Sequence, residues 1–265
     1  MQRVRREPPR FRRVEVLRVE RASPRLVRVA FVGSDLDGLT VDDPAASVRL
    51  LLPSSGSPAP VIPEWEGNEF LLPDGSRPLL RTFTPRRVDP AAHELDLEIV
   101  THGSGAASEW AATAAPGRPA AIAGPGRGYV IDHDATAFVL AGDETAIPAI
   151  SQLLEVLPWR AEVQVHIEIA DAIAEITLPA HPRATIEWHV LPQGAPPGDT
   201  VIAAVRSTEI PARARVWAAG EAAAMQRIRT NVFKERGLPR AQGVIRGYWK
   251  YGRQGAALDN EGTVA

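Results

Sequence analysis

Phe138-Val139-Leu140-Ala141-Gly142-Asp143-Glu144-Thr145-Ala146-Ile147-Pro148 decides how the second half of this chain folds. Four apolar residues run unbroken into Gly142, the pattern of a strand buried on both faces, as in a parallel sheet. Beyond it, Ile147, Ile150, Leu153, Leu154 and Leu157 recur at helical spacing. Val163, Val165, Ile167 and Ile169 then alternate as a strand, and Ile186, Trp188 and Val190 predict another. Val216-Trp217-Ala218-Ala219 runs apolar up to Gly220. A helix follows with Met225, Ile228 and Val232 on one face, and Gly237 stands where it can close that helix. Strands alternating with helices predict an α/β domain with a mainly parallel sheet. It is assigned to residues 133–252, with the boundary near Asp132 to Ala135.

The rhythm before that boundary is different. Leu26, Val27, Val29, Phe31 and Val32 form a mostly alternating segment, and Val48 to Leu52 forms a second. Leu95, Leu97 and Ile99 alternate with Glu94, Asp96 and Glu98, which predicts a half-buried antiparallel strand. Proline- and glycine-rich connections lie between, at 53–63 and 73–78. Short strands with turn signals predict a small barrel or sandwich over residues 1–132.

Composition bounds the function. With 265 residues the chain can bury two modest cores. The absence of cysteine excludes disulfides, thiolate metal sites and cysteine nucleophiles, and it suits a reducing compartment. No apolar run approaches the ~20 residues needed to cross a bilayer, and the basic N-terminus lacks a secretory apolar region. A cytoplasmic protein is therefore expected. The formal charge of −2 gives no reason to expect a nucleic-acid partner. Arg3, Arg5, Arg6, Arg10, Arg12 and Arg13 either attract an anion or form a solvated terminus. The segment after Arg253, residues 253–265, reads as a mobile tail.

Three segments carry chemistry. In Arg81-Thr82-Phe83-Thr84-Pro85-Arg86, extended backbone places Arg81, Phe83 and Pro85 on one face and Thr82, Thr84 and Arg86 on the other. Such a strip suits a threonine hydroxyl against a flavin ring and an arginine fork on a pyrophosphate; it equally suits a surface strand with solvated arginines. In His102-Gly103-Ser104-Gly105-Ala106-Ala107-Ser108, small residues lead into an alanine-rich helix, where free N–H groups bind anions. Ser108 either caps that helix or donates to a phosphate. His102 has no visible ligand partners, and no metal site is expected anywhere in the chain. The third segment, Gly142 to Pro148, lies at the carboxyl end of a strand, where α/β sheets bind ligands. It lacks G-x-G-x-x-G, and Asp143 and Glu144 also suit the first turn of a helix.

Taken together, these segments resemble the siderophore-interacting protein family, a branch of the ferredoxin reductase-like flavoproteins. Gly124-Pro125-Gly126, Trp217-Ala218-Ala219-Gly220-Glu221 and Gly247-Tyr248-Trp249-Lys250-Tyr251-Gly252 complete the match, which runs from about Phe11 to Gly252. The resemblance implies two domains: an N-terminal antiparallel six-stranded flavin-binding β-barrel and a C-terminal α/β nicotinamide-binding domain. It implies bound FAD held by Arg81, Thr82, Phe83, Thr84, Arg86, His102, Gly103, Ala107 and Ser108, with Asp143, Thr145 and Trp249 completing the cofactor sites. Thr84 matches the flavin-ring contact and Arg86 the pyrophosphate contact. Phe83 departs from the tyrosine often found there, so packing is kept and a hydroxyl hydrogen bond is lost. Arg49, Arg127 and Lys250 match the basic positions that line the ferric-siderophore pocket, with Arg49 where relatives often carry lysine.

The implied activity is NAD(P)H-dependent reduction of a ferric siderophore through FAD, with release of Fe(II) and no catalytic nucleophile or general base. A general flavin or ferric-chelate reductase, a reductase fed by ferredoxin, and a siderophore carrier without FAD stand as alternatives. A monomer is expected. Asp171 suits a ribose hydroxyl while nearby basic residues suit a 2′-phosphate, so NADH and NADPH both stay open.

Overall fold

A computed structural model describes residues 9–54, 57–67, 69–101 and 105–252. The front part contains β1 (Phe11–Ser23), β2 (Leu26–Val32), β3 (Val48–Leu52), β4 (Glu64–Trp65), β5 (Phe70–Leu71), β6 (Leu79–Phe83), β7 (Pro85–Asp89) and β8 (Glu94–Val100). It continues with α1 (Ala106–Ala112) and β9 (Pro119–Ala123). β4 and β5 pair as a separate hairpin; the other strands form one antiparallel sheet in the order β6-β3-β9-β1-β2-β8-β7. β6 and β7 stand at opposite edges, yet only Thr84 separates them along the chain. A one-residue link can join two edges only if the sheet curls until they meet. The curled sheet has seven strands where six were expected, because the arginine motif breaks into β6 and β7 at this closure.

Val16, Val29, Phe31, Leu50, Leu95, Leu97 and Ile122 fill the curl, each at most 1 % exposed. Trp110 of α1 lids one end by stacking on Phe31, with centroids 5.9 Å apart. Each such side chain contributes roughly 1.5–3 kcal/mol on full burial. β8 departs from the expected half-buried strand, since Asp96 and Glu98 are also buried. Their cover comes from neighbouring strands: Arg28 reaches its cross-strand partner Glu98 at 2.6 Å, and Arg18 reaches Asp96 at 3.2 Å and Glu94 at 2.9 Å.

The back part contains β10 (Ala137–Asp143), α2 (Ile147–Val156), β11 (Glu162–Ile169), β12 (Ala184–Val190), α3 (Asp199–Ser207), β13 (Arg215–Glu221), α4 (Ala222–Thr230) and β14 (Gly243–Trp249). Its five strands run in the order β12-β11-β10-β13-β14, parallel at every pairing. Phe138 and Leu140 join the core beneath α2, whereas Val139 and Ala141 join the core beneath α3 and α4. Burial on both faces explains the unbroken apolar run at this strand. Met225, Ile228 and Val232 are buried as their spacing predicts, and a wide helical turn over Asn231–Glu235 extends α4 toward Gly237.

The two parts share an apolar seam. Leu26, Ala45 and Tyr129 of the front pack into the same cluster as Ile150, Leu153 and Leu154 of α2. Polar ties flank it. The Arg25 Nε lies 2.9 Å from Glu144, and Gln152 accepts from the Ala45 N–H at 2.8 Å while donating to the Pro85 carbonyl at 2.7 Å. Among the described residues, no helix is long and apolar enough to cross a membrane.

This seam sets an alkaline limit. Burial pushes the Tyr129 hydroxyl up to about 12, with Arg215 opposing the shift and Asp132 adding to it. Unfolded tyrosine ionises near pH 10, so above that pH the unfolded chain sheds a proton that the fold retains. Stability present below about pH 10 is therefore lost as pH rises toward about 12, by roughly 3 kcal/mol. Denaturant unfolding across that window is expected to show the loss in the native protein and a flatter profile in Tyr129→Phe.

Candidate functional site

β10 and β13 are neighbours whose onward connections leave in opposite directions, through α2 to β11 and through α4 to β14. That reversal opens a crevice at the carboxyl ends of the strands. Asp143 and Glu221, the last residues of β10 and β13, stand at its mouth. One Asp143 oxygen accepts from the Thr145 N–H at 2.9 Å and the Thr145 hydroxyl at 2.5 Å. The other accepts from the Glu221 N–H and the Trp249 indole N–H, each at 2.8 Å. Burial pushes the Asp143 carboxyl up, and these hydrogen bonds pull it back. Gly220 makes the arrangement possible. At its φ of +154°, an added Cβ would lie 2.5 Å from an Asp143 oxygen.

The barrel closure meets the far edge of this sheet. Burial raises the Tyr248 hydroxyl of β14, and the neighbouring side chain of the buried Thr84 opposes that rise. Two residues earlier, Arg246 donates to the Arg127 and Gly128 carbonyls at 3.2 and 3.1 Å. The loop that carries those carbonyls presses onto the front part so closely that a Cβ on Gly128 would lie 2.3 Å from the Asp43 Cβ. Arg49 of β3 is the cross-strand partner of the exposed Thr82. Arg127 and Lys250 are exposed, one on the loop and the other just after β14. The seam thus gathers Thr82, Thr84, Arg49, Tyr248, Trp249 and Asp143 from segments scattered along the chain.

The two motif arginines differ. Arg81 is half-buried; burial lowers its pKa, and it donates to the neighbouring Leu80 carbonyl at 2.8 Å. Among the described residues it has no carboxylate partner. A cation part-withdrawn from water without an acid is what a pyrophosphate would neutralise, so this donor set fits FAD. Arg86 is engaged: its fork meets Glu155 of α2 at 2.5 and 3.1 Å. An open cavity of about 550 Å³ beside that pair, lined also by Arg28, Arg87 and Gln152, shares only Arg86 with the expected site. The closure also breaks the expected alternation, leaving Thr82 exposed and Thr84 buried.

Ala107 and Ser108 lie in the first turn of α1. Gly105 is the N-cap, so Ser108 does not cap the helix; it is buried and approaches the Val100 carbonyl at 3.4 Å. Phe83 packs against the barrel core. Asp171 accepts from the Ile173 N–H at 3.0 Å. His102, Gly103 and the tail from 253 lie outside the described residues. Sequence reasoning missed Glu144, Gln152, Glu155, Arg246 and Tyr248 as seam residues. Glu144 and Tyr248 carried a signal, since they fall within the quoted Gly142–Pro148 and Gly247–Gly252 blocks.

Known proteins resemble this chain in sequence and fold. Residues 15–129 match the family described as the siderophore-interacting FAD-binding domain, and residues 135–252 match the family described as siderophore-interacting protein. A siderophore utilization protein from T. fusca is 39% identical, with a TM-score of 0.83 over 94% of this chain and 96% of that one. The ferric vibriobactin reductase of Vibrio cholerae is 28% identical over 96% of this chain and 94% of its own. The NADPH-dependent ferric-chelate reductase of Escherichia coli is 38% identical over 109 residues, which cover 41% of this chain and 42% of that protein.

Proposed function

The chain belongs to the siderophore-interacting protein family, and from that premise we propose that it is an NAD(P)H-dependent ferric-siderophore reductase with FAD as its resident cofactor. The observation that carries this reading is the seam itself: Tyr248 beside Thr84, and the Trp249 indole donating to Asp143, join the barrel motif to the sheet crevice. When bound, FAD supplies the conversion of a two-electron hydride donor into single-electron transfer. One NAD(P)H then accounts for two Fe(III) reduced to Fe(II), with one proton released. The weaker hold of a chelator on the less charged ion frees the iron.

The protein contributes positions and charge. Arg81 and Arg86 hold the pyrophosphate, aided by His102, Gly103, Ala107 and Ser108, while Thr82 and Thr84 serve the ring system and Phe83 backs that strip from the barrel core. Asp143 orients Thr145 and Trp249 where the nicotinamide docks. Arg49, Arg127 and Lys250 supply local positive charge to an anionic ferric chelate, which raises the encounter rate of a chain that is negative as a whole. The residue limits 1–132 and 133–252 belong to this reading as the FAD and nicotinamide domains. Vibrio cholerae ferric vibriobactin reductase and Escherichia coli ferric-chelate reductase support the substrate class, and the latter supports NADPH as donor.

Anaerobic stopped-flow absorption tests the proposal. FAD-loaded protein is expected to bleach on mixing with NADPH or NADH and to recover its flavin colour on mixing with ferric siderophore, with Fe(II) trapped by a chelating dye. Failure to hold FAD would overturn the reading; bleaching only with reduced ferredoxin would replace the donor. Arg86 provides a sharper test, because Glu155 now occupies the fork assigned to phosphate. Arg86→Ala is expected to weaken FAD binding by about 10- to 100-fold, the value of a charge-assisted hydrogen bond. Glu155→Gln, by freeing the fork from a partly exposed pair, is expected to tighten FAD a few-fold. If both substitutions weaken FAD equally, Arg86 serves the seam rather than the cofactor.

A further inference from the structure

A second site lies at the opposite edge of the back sheet from β14. In the parallel pairing of β11 with β12, His166 stands opposite Glu187 and Glu168 opposite His189. Side chains at 187 and 189 share one face of their strand, as does the residue paired with 187. Three ligand atoms converge there. His166 Nδ1 is 3.2 Å from His189 Nε2 and 3.7 Å from a Glu187 oxygen, and that oxygen is 3.9 Å from His189 Nε2. Tetrahedral Zn²⁺ with nitrogen and oxygen ligands at about 2.0–2.1 Å holds neighbouring ligand atoms about 3.3–3.4 Å apart. The three atoms already stand close to that spacing.

The hydrogen bonds around His166 orient it as a ligand. The Thr208 hydroxyl donates to the Ala204 carbonyl at 2.8 Å, so its oxygen accepts from His166 Nε2, also at 2.8 Å. That bond keeps the ring proton on Nε2 and turns the bare Nδ1 lone pair toward His189 and Glu187. A ligating histidine whose other nitrogen donates to a fixed partner is the usual second layer of a zinc site. His189 and Glu187 are progressively more exposed, with side chains 22% and 55% accessible, so an ion can enter from solvent.

From this geometry we infer that His166, Glu187 and His189 form a Zn²⁺ site with one open position for water. Two imidazoles and one carboxylate, without thiolate, suit Zn²⁺ among abundant divalent ions. The ion bridges edge strand β12 to β11 and, through Thr208, to the end of α3. It stands apart from the reductase seam. The sequence concealed it because residues 166, 187 and 189 become neighbours only through strand register.

The test uses the full chain without a histidine tag. Isothermal titration with Zn²⁺, and visible absorption with Co²⁺ as a tetrahedral reporter, are expected to show one equivalent bound. Thr208→Ala is expected to weaken Zn²⁺ affinity 10- to 100-fold, the usual cost of losing a histidine's second partner. His189→Ala, on the edge strand, is expected to unfold at the native temperature in the presence of a chelator. Added Zn²⁺ is expected to raise the unfolding temperature of the native chain and leave that of His189→Ala unchanged. A Zn²⁺ shift in both proteins, or in neither, would overturn the site, as would unchanged stoichiometry and affinity in His189→Ala.

Discussion

Glu168→Ala is expected to lower stability by about 4 kcal/mol, the largest effect of any substitution considered. Glu168 is 3% exposed at the end of β11. Its carboxylate accepts from the N–H groups of Gly198, Thr200 and Val201 at 2.6, 3.0 and 3.2 Å, and from the Thr200 hydroxyl at 2.7 Å. These donors open α3, so the carboxylate also meets the positive end of the helix dipole. Alanine would leave the donors buried without an acceptor. The backbone has little freedom to seek another, because Gly198 holds a φ of +94° with a neighbouring Cβ 2.1 Å from where its own would stand. At roughly 2–4 °C per kcal/mol, the unfolding temperature falls by about 8–16 °C. Glu168→Gln keeps one acceptor oxygen and is expected to lose about half as much. A loss under about 1 kcal/mol for alanine would mean that water replaces the carboxylate.

Asp143→Ala carries the largest expected effect on activity. It removes the acceptor that holds the Trp249 indole, the Thr145 turn and the Glu221 N–H in one arrangement. Charge-assisted hydrogen bonds are each worth about 1.5–3 kcal/mol. Loss of about 3 kcal/mol in positioning lowers a rate by roughly 100-fold. The flavin bleaching rate with NAD(P)H is therefore expected to fall about 100-fold, while FAD stays bound, since Arg81 and Thr82 are untouched. An unchanged bleaching rate would remove Asp143 from nicotinamide docking. Loss of FAD together with the rate would make it a fold residue instead.

The candidate site was legible where chemistry lies in short blocks. Arg81 to Arg86 was readable as an extended strip and Gly142 to Pro148 as a strand-to-helix turn, while Gly247 to Gly252 entered only through the family resemblance; the fold brings parts of all three to one seam. The division between the two motif arginines was not readable. Among the described residues Arg81 is left without an acid, whereas Arg86 is held by Glu155, which lies 69 positions away on a helix whose spacing advertised only its apolar face. Ser108 shows the same limit at short range. Gly, Ser and Ala at a helix entry allow several caps, and the backbone chose Gly105.

What the sequence determined by itself was periodicity. Alternation in the front, unbroken apolar runs in the back and helical spacing between them follow from local geometry, because a side chain's direction depends on its own backbone. From these came two domains, an antiparallel curl and a parallel sheet. The tertiary structure alone decided which charges meet: Arg28 with Glu98, Arg86 with Glu155, Glu168 with the start of α3, and His166 with Glu187 and His189. Such pairs depend on strand order and register, which join distant segments, and a shift of one residue turns every side chain to the other face.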